Sequence, residues 1–455
     1  MRIEDTLEPI ASQLDAELAV FVNEHAAPGV AAGVIVDHAL AWTAGGGFVD
    51  LRTAQVPTAS TPFRVASITK TFTATALAQL VHDGSLSFDD ALVRHLPELA
   101  AARNPFGSID EVTIRRVLMH RSGLLAEPPL QDWATRDFPS IERTLEAAHL
   151  IEVVVPPDAA DKYSNLGFQL LGEVVARVSG STYRAHVAER ILAPLGLHRS
   201  GFETPADAAV GYDRPLFSEE PPTSAGRKKP TDAEGGLWSS VEDLGRWIVF
   251  QLHGESSVLP VERLRELHRP AVINDDNWTS AQGLAWCHER RDDRVYVSHA
   301  GGTPGFSSRI VFSIADRIGA IVLANGAAPT GDLALRLADR AVAFRRDRPA
   351  VPSASLPIPV PSGYRELLGA YAWPEFDETV RIEWRAGALT LIWQDGTPPD
   401  PTLEHVEEDR FVVRGGRETG ERCRFLRDAD GEVRGVDLAG YPLERVRSVP
   451  QGSSD

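Results

Sequence analysis

The sequence predicts an α+β domain followed by a small all-β barrel. Three observations carry that reading: strand patterns near both ends of the first 350 residues with helices between them, a proline-rich stretch at 351–361, and a series of short strands beyond it. A chain of 455 residues has room for one large domain and one smaller one, at roughly 100 to 200 residues per domain. Hydrophobic residues at 43% and charged residues at 24% are ordinary for a folded chain and give no sign of disorder.

Taken in order, Leu7, Ile10, Leu14, Leu18 and Phe21 recur at helical spacing and predict an amphipathic helix. Gly29–Val36 and Leu40–Thr43 flank Asp37-His38-Ala39 in a hairpin pattern. From Ser67 to Asp83 the residues are apolar or small on nearly every side, and the run stops at Gly84, as in a helix buried in the middle of a domain. Residues from about 86 to 250 read mostly as helices and loops, with Gly167–Ser179 and Val241–Leu252 as examples. Strands return at Arg294–His299, Ser307–Ser313 and Gly319–Asn325, with a turn at Ala315–Arg317. The result is one sheet whose strands come from both ends of the domain, with a helical insertion between them. Val351–Pro361 is a stiff, extended spacer. Val380–Trp384, Leu389–Trp393, Arg410–Val413, Arg422–Leu426 and Val433–Leu438 are short, closely spaced strands separated by Gly and Asp turns, the pattern of a small barrel.

A formal charge of −18 repels nucleic acid and anionic membrane, so neither is expected as a partner. The two cysteines, Cys287 and Cys423, fall in different predicted domains and provide neither a disulfide framework nor a thiolate metal site. The first ten residues are acidic where a signal peptide would be basic and then apolar, and no later stretch approaches about 18 consecutive apolar residues. A cytoplasmic location is the expectation.

The chemistry begins at one lysine. Among 46 basic residues the only lysines are Lys70, Lys162, Lys228 and Lys229, so a position that needed charge alone would normally carry arginine. Lysine, unlike arginine, can surrender its proton when desolvated. Lys70 follows Ser67 by three residues, which on a helix places both side chains on one face, and a serine hydroxyl needs such a base to become a nucleophile. Helix capping is the structural alternative for this Ser-x-x-Lys pattern. Tyr163 and Asn165 stand two residues apart where a loop runs into a helix; the phenol is a candidate proton shuttle and the carboxamide can bond both lysine and substrate, although a turn with Asn is the plainer account. His299, Gly301 and Gly302 close a strand with a polar head and small residues, where a free N–H near Gly302 could hold an oxyanion. A lone histidine at a strand end is otherwise structural. No Gly-x-Ser-x-Gly elbow, His-Glu-x-x-His or phosphate-binding Gly-x-x-x-x-Gly-Lys occurs, and no cofactor or metal is expected.

Together these stretches resemble the serine beta-lactamase and penicillin-binding-protein superfamily, in the branch of class C beta-lactamases, family VIII carboxylesterases and D-aminopeptidases. Ser67-Ile-Thr-Lys70 matches the first motif and Tyr163-Ser-Asn165 the second, while His299-Ala-Gly301 stands where many members have Lys-Thr-Gly. Val117–Leu124 and Gly235–Leu244 also resemble stretches of this branch, and the agreement runs over about residues 10–345. The resemblance implies a beta-lactamase/transpeptidase-like domain over 1–350, an antiparallel sheet flanked by helices with a helical subdomain. A linker at 351–361 and a lipocalin-like barrel at 362–450 complete the expected organisation. It implies Ser67 as the acylated nucleophile, Lys70 as its base, Tyr163 as the group that protonates the leaving group, and Asn165 as a positioning residue. The backbone N–H groups of Ser67 and Gly302 would form the oxyanion hole; His120 and Trp238 are assigned to packing. Histidine at 299 is charged only in part near neutral pH, which weakens a beta-lactamase assignment and favours peptidases and esterases of the branch. The expected function is that of a serine hydrolase working through an acyl-enzyme on a small ester, amide or peptide, with a D-amino acid among the candidate acyl groups. An acyltransferase or peptide cyclase using an amine acceptor, like penicillin-binding-protein-like thioesterases, is the alternative. A beta-lactamase or a non-catalytic binding module stands behind both. The expected partner is a small molecule or short peptide, and a homo-oligomer is left open.

Overall fold

A computed structural model describes residues 7–131, 138–212, 232–291, 293–346, 359–373, 378–385, 387–393, 401–415 and 419–446. Most of the proline-rich stretch, 351–358, lies outside the described residues. The chain divides into two compact units, Met1–Pro349 and Ala350–Asp455.

In the first unit, strands β1 (Gly29–Val36), β2 (Ala39–Gly47), β5 (Val272–Ile273), β6 (Ser280–Gln282), β7 (Cys287–Arg291), β8 (Arg294–Thr303), β9 (Phe306–Ser313) and β10 (Ile318–Ala324) form one antiparallel sheet. Their order is β2-β1-β10-β9-β8-β7-β6-β5, so the amino-terminal hairpin joins the late strands through β1 and β10, as the α+β reading requires. Alternate side chains of one strand serve two different cores, because successive residues face opposite sides of a pleated sheet. Ile321 and Leu323 of β10 pack into the larger core with Phe72 and Trp247, while Ala320 and Val322 pack into a second core. That second core is completed by helix α1 (Ala11–Glu24) through Leu14, Leu18 and Phe21 and by the carboxy-terminal helix of the unit, Thr330–Arg346, through Leu333 and Leu337.

Helix α2 (Thr69–His82) runs through the middle of the larger core, with every residue from Thr69 to Leu80 buried. Threonines survive there because each returns its hydroxyl to a carbonyl: Thr69 donates to Ala66 O at 2.6 Å, Thr71 to Ile68 O at 2.8 Å and Thr73 to Ala233 O at 2.7 Å. Phe72 stacks on Trp247 at 3.8 Å between ring centroids, and truncating it to Ala would cost about 3–5 kcal/mol. Gly84, at φ +73°, lies just past the end of the helix. The predicted helix start at Ser67 moves: residues Ala66–Ile68 form a separate 3-10 turn.

In the second unit, β11 (Gly369–Trp373) to β18 (Tyr441–Arg445) form a closed antiparallel barrel in sequence order, sealed by Tyr371 and Ala372 pairing with Arg445 and Glu444. Inward-facing Tyr371, Ile382, Leu391, Phe411, Phe425 and Leu438 fill the interior, so a barrel of this size is a packed core. Cys287 and Cys423 are free thiols. Among the described residues, no helix is long and apolar enough to cross a membrane.

Candidate active site

The nucleophile candidate sits on the turn ahead of α2, and the turn is held from three sides. The short strands β3 (Phe63–Arg64) and β4 (Trp238–Ser239) pair in front of it, and Val65 N–H donates to Leu237 O at 3.1 Å. From the sheet, Ser308 Oγ donates to Val65 O at 2.9 Å. Ala66 adopts φ +45°, a left-handed conformation unfavourable for a residue with a Cβ, immediately before Ser67. This bend leaves Ser67 half-buried above the first turn of α2.

Lys70 is fully buried, and its Nζ meets three acceptor atoms: Ser67 Oγ at 3.2 Å, Asn165 Oδ1 at 2.8 Å and the Glu234 carbonyl at 2.7 Å. Amide oxygens only accept, so two N–H bonds are committed to Asn165 and Glu234. The third direction faces a hydroxyl that can give or receive, and in the amine form the lone pair points at the Ser67 proton. Tyr163, 41% exposed, donates its hydroxyl to Ser67 Oγ at 2.9 Å from the other side. Lys70 Nζ also lies over the Tyr163 ring, 4.9 Å from its centroid. The structure therefore brings Ser67, Lys70, Tyr163 and Asn165 together.

Asn165 opens the helix Asn165–Ser179, whose N-cap Ser164 accepts from Gly167 N–H at 2.9 Å. The Asn165 amide also donates to Glu127 Oε1 at 2.8 Å, and Gln131 donates to Glu127 Oε2 at 2.8 Å. Glu127 and the Glu234 carbonyl were not anticipated. The Val117–Leu124 motif ends three residues before Glu127, and the Gly235–Leu244 motif begins one residue after Glu234. A carbonyl, which every residue carries, leaves no signal in a sequence.

His299 lies on β8 and is 5% exposed. Burial and then the Lys70 charge hold its pKa down at about 3, so the expected partial charge near neutral pH does not arise; the imidazole is neutral. A proton on Nδ1 donates to Ala300 O at 2.6 Å, leaving Nε2 as an acceptor. Strand β7 pairs with β8 only as far as Ser298, so residues 299–303 have no strand partner on that side among the described residues. Gly301 approaches the nucleophile turn so closely that a Cβ there would fall 2.1 Å from Val65 O, whereas a Cβ on Gly302 would meet nothing within 4 Å.

His120, assigned to packing by sequence, does more. It is buried with φ +56°, and its ring stacks on Tyr163 with centroids 4.2 Å apart. Its Nδ1 accepts from Ser164 N–H at 3.2 Å and its carbonyl from Lys162 N–H at 2.8 Å. Burial, then the Lys70 charge, pushes its pKa well below the ordinary histidine value, so it is a neutral acceptor. Trp238 is packing: it is buried edge-on against Phe306 at 5.5 Å, with the Arg64 guanidinium over its ring.

An eight-stranded antiparallel sheet, a central buried helix and a serine ahead of that helix define the serine beta-lactamase and penicillin-binding-protein-like fold. Residues 13–344 match the Beta-lactamase family, and the chain belongs to it; residues 360–445 match a domain of unknown function (DUF7586). The chain is 25% identical over 319 residues to Beta-lactamase-like protein 2 of Dictyostelium discoideum, a match covering 68% of this chain and 58% of that protein. The alignment therefore spans less than two thirds of that relative's length. In fold it resembles the octameric penicillin-binding protein homologue from Pyrococcus abyssi, with a TM-score of 0.65 and 23% identity over 95% of this chain and 99% of the other. It also resembles a D-stereospecific amidohydrolase from Streptomyces sp., with a TM-score of 0.61 and 24% identity over 72% of this chain and 98% of the other.

Proposed function

We propose that the protein is a serine hydrolase that forms an acyl-enzyme on Ser67, with small aminoacyl amides and esters as substrates. The observation that carries the reading is Ser67 Oγ placed between Lys70 Nζ at 3.2 Å and Tyr163 Oη at 2.9 Å. Lys70 takes the hydroxyl proton as Oγ attacks the carbonyl carbon. Tyr163 gives its proton to the departing amine or alkoxide and recovers one from Lys70. The backbone N–H groups of Ser67 and Gly302 receive the oxyanion. Water then attacks the ester, its proton passing to the same Tyr163–Lys70 pair, and Ser67 leaves with a proton.

Glu127 supports the substrate class. Its carboxylate is held by Asn165 and Gln131, one hydrogen-bonded residue away from Lys70, and it favours an acyl group bearing a free ammonium. The neutral His299 provides no cation for a substrate carboxylate, which counts against a beta-lactam or D-Ala-D-Ala-like ligand. The fold likeness to a D-stereospecific amidohydrolase makes D-aminoacyl amides the first substrates to try.

The test is intact-protein mass after brief incubation with D- and L-aminoacyl amides, their N-acetyl counterparts, activated acyl esters and a penicillin. Wild type is expected to gain an acyl mass or to consume substrate, and Ser67→Ala to do neither. Glu127→Gln should raise KM for free-amino substrates by about 10- to 100-fold, the worth of a charge-assisted hydrogen bond of about 1.5–3 kcal/mol, and leave N-acetyl substrates unchanged. Equal turnover by wild type and Ser67→Ala would remove the reading.

A further inference from the structure

The β1–β2 turn carries Asp37 and His38, and the chain brings His253, the last residue of the helix Val241–His253, against it. The two imidazoles stack, with centroids 3.7 Å apart and planes 24° from parallel. His253 Nε2 lies 3.1 Å from Asp37 Oδ1, and His38 Nε2 lies 3.8 Å from the same oxygen. One donor atom from each of the three residues falls within 4.8 Å of the others. Tetrahedral zinc with ligand bonds of about 2.0–2.1 Å places neighbouring donor atoms about 3.3 Å apart, a separation that the two measured distances bracket.

A second observation points to a cation. Asp37 Oδ1 is buried, yet among the described residues it accepts no hydrogen bond: the His253 Nε2–H is directed instead at the Asp37 carbonyl, 3.2 Å away. Its nearest other cation is the Arg317 guanidinium, at 3.6 Å and 62% exposed, in ion-pair rather than hydrogen-bond range. A buried carboxylate oxygen left in this state is unusual in a folded protein, and a bound ion is one of the few things that accounts for it. The turn that presents it is fixed: Asp37 sits at φ +53° and its N–H donates to Arg317 O at 2.7 Å. Access is open, because His38 is 66% exposed and lines a cavity of about 720 Å³.

We propose that Asp37, His38 and His253 bind one divalent transition-metal ion of the zinc class, which ties the β1–β2 turn to the end of the helix Val241–His253. Two imidazoles and a carboxylate suit zinc, cobalt and nickel rather than calcium or magnesium, and water completes the coordination. On binding, His253 shifts its proton from Nε2 to Nδ1 and turns its lone pair to the ion, while the Arg317 guanidinium swings into solvent. The site is independent of the acylation chemistry at Ser67.

Untagged, chelator-stripped full-length protein titrated with Zn2+ by calorimetry, and with Co2+ by visible absorption, tests it. One ion per chain is expected, with the d–d bands of four-coordinate cobalt and a Zn2+-dependent rise in melting temperature. His38→Ala/His253→Ala should abolish the event while keeping the wild-type circular dichroism, and Asp37→Asn should weaken it by at least about tenfold. Arg317→Gln should tighten it, because it removes a competing cation from the same oxygen. Absence of a 1:1 event in wild type, or a stoichiometry unchanged in the double variant, would overturn the proposal.

Discussion

His120 grips the segment around Tyr163 at three points: its ring lies under the phenol, its Nδ1 takes the N–H of Ser164 and its carbonyl takes the N–H of Lys162. Two of these contacts are separable. His120→Asn keeps an acceptor near Ser164 N–H and tolerates the positive φ, but loses the stack. His120→Phe keeps the stack and leaves the N–H unpaired, at a cost of about 1–3 kcal/mol. Both variants should fold, and both should lower kcat by about 10- to 100-fold with KM little changed, since a displacement of about 1 Å at the reacting groups is worth that much. A rise in KM with kcat intact would instead make His120 part of the substrate pocket. The pairing of Ser67 with Lys70 was legible as a candidate because a three-residue spacing brings two side chains to one side of a helical turn, and the 3-10 turn leading into α2 keeps that relation. Tyr163 and Asn165 lie 96 and 95 residues from their partners, so only resemblance to a family linked them.

Among elements, β8 lies close against the turn that carries Ser67, and its two glycines meet different surroundings. Gly301→Ala would place a Cβ 2.1 Å from Val65 O, two residues before the nucleophile, so β8 or the turn must give way. Overpacking of this kind costs about 1–3 kcal/mol, and acylation at Ser67 should fall far more than stability does. Gly302→Ala meets open space and should keep both its fold and most of its activity. Measuring acylation rate and urea midpoint for the pair checks this, and equal effects at the two positions would refute it. The rest of the sheet divides by what its sequence could convey. Strand β10 is wholly buried and reads as an apolar run, while the mostly buried β9 is read from its apolar Ile310–Phe312 core. Strands β5, β6 and β7 end the sheet with residues such as Cys287-His-Glu-Arg-Arg291, short and polar, and carry no period for a reader to find. In the helix Thr330–Arg346 a buried stripe through Leu333, Leu337 and Ala341 is interleaved with four arginines, and it too was not anticipated.

Across the whole molecule, acid is the condition that separates the two units. Twelve of the 13 histidines precede residue 300, and several are buried as neutral rings. Burial first, and nearby positive charge second, lower the pKa of His299 to about 3 and those of His120 and His268 well below the ordinary value. In the unfolded chain each titrates near about 6.5. Below that pH the unfolded state binds more protons than the folded one, so stability is full above about 6.5 and is lost as pH falls toward the folded values. Each histidine that stays neutral in the fold contributes a loss of about 1.4 kcal/mol per pH unit once the unfolded form is protonated. The barrel carries a single histidine, His405, and it is exposed. Glu366 and Asp409 there are held below the usual carboxylate range, chiefly by hydrogen bonds from Arg427, so that stability is lost only at more acidic pH. Hydrogen exchange read by mass spectrometry at pH 7.5 and 5.5, corrected for intrinsic rate, should show protection falling in the first unit and holding in the barrel. His299→Gln should flatten the pH dependence of the first unit by about one proton. If protection in that unit were unchanged across this range, the buried histidines could not be neutral in the fold, and the account of His299 as an uncharged replacement for a lysine would fail with them.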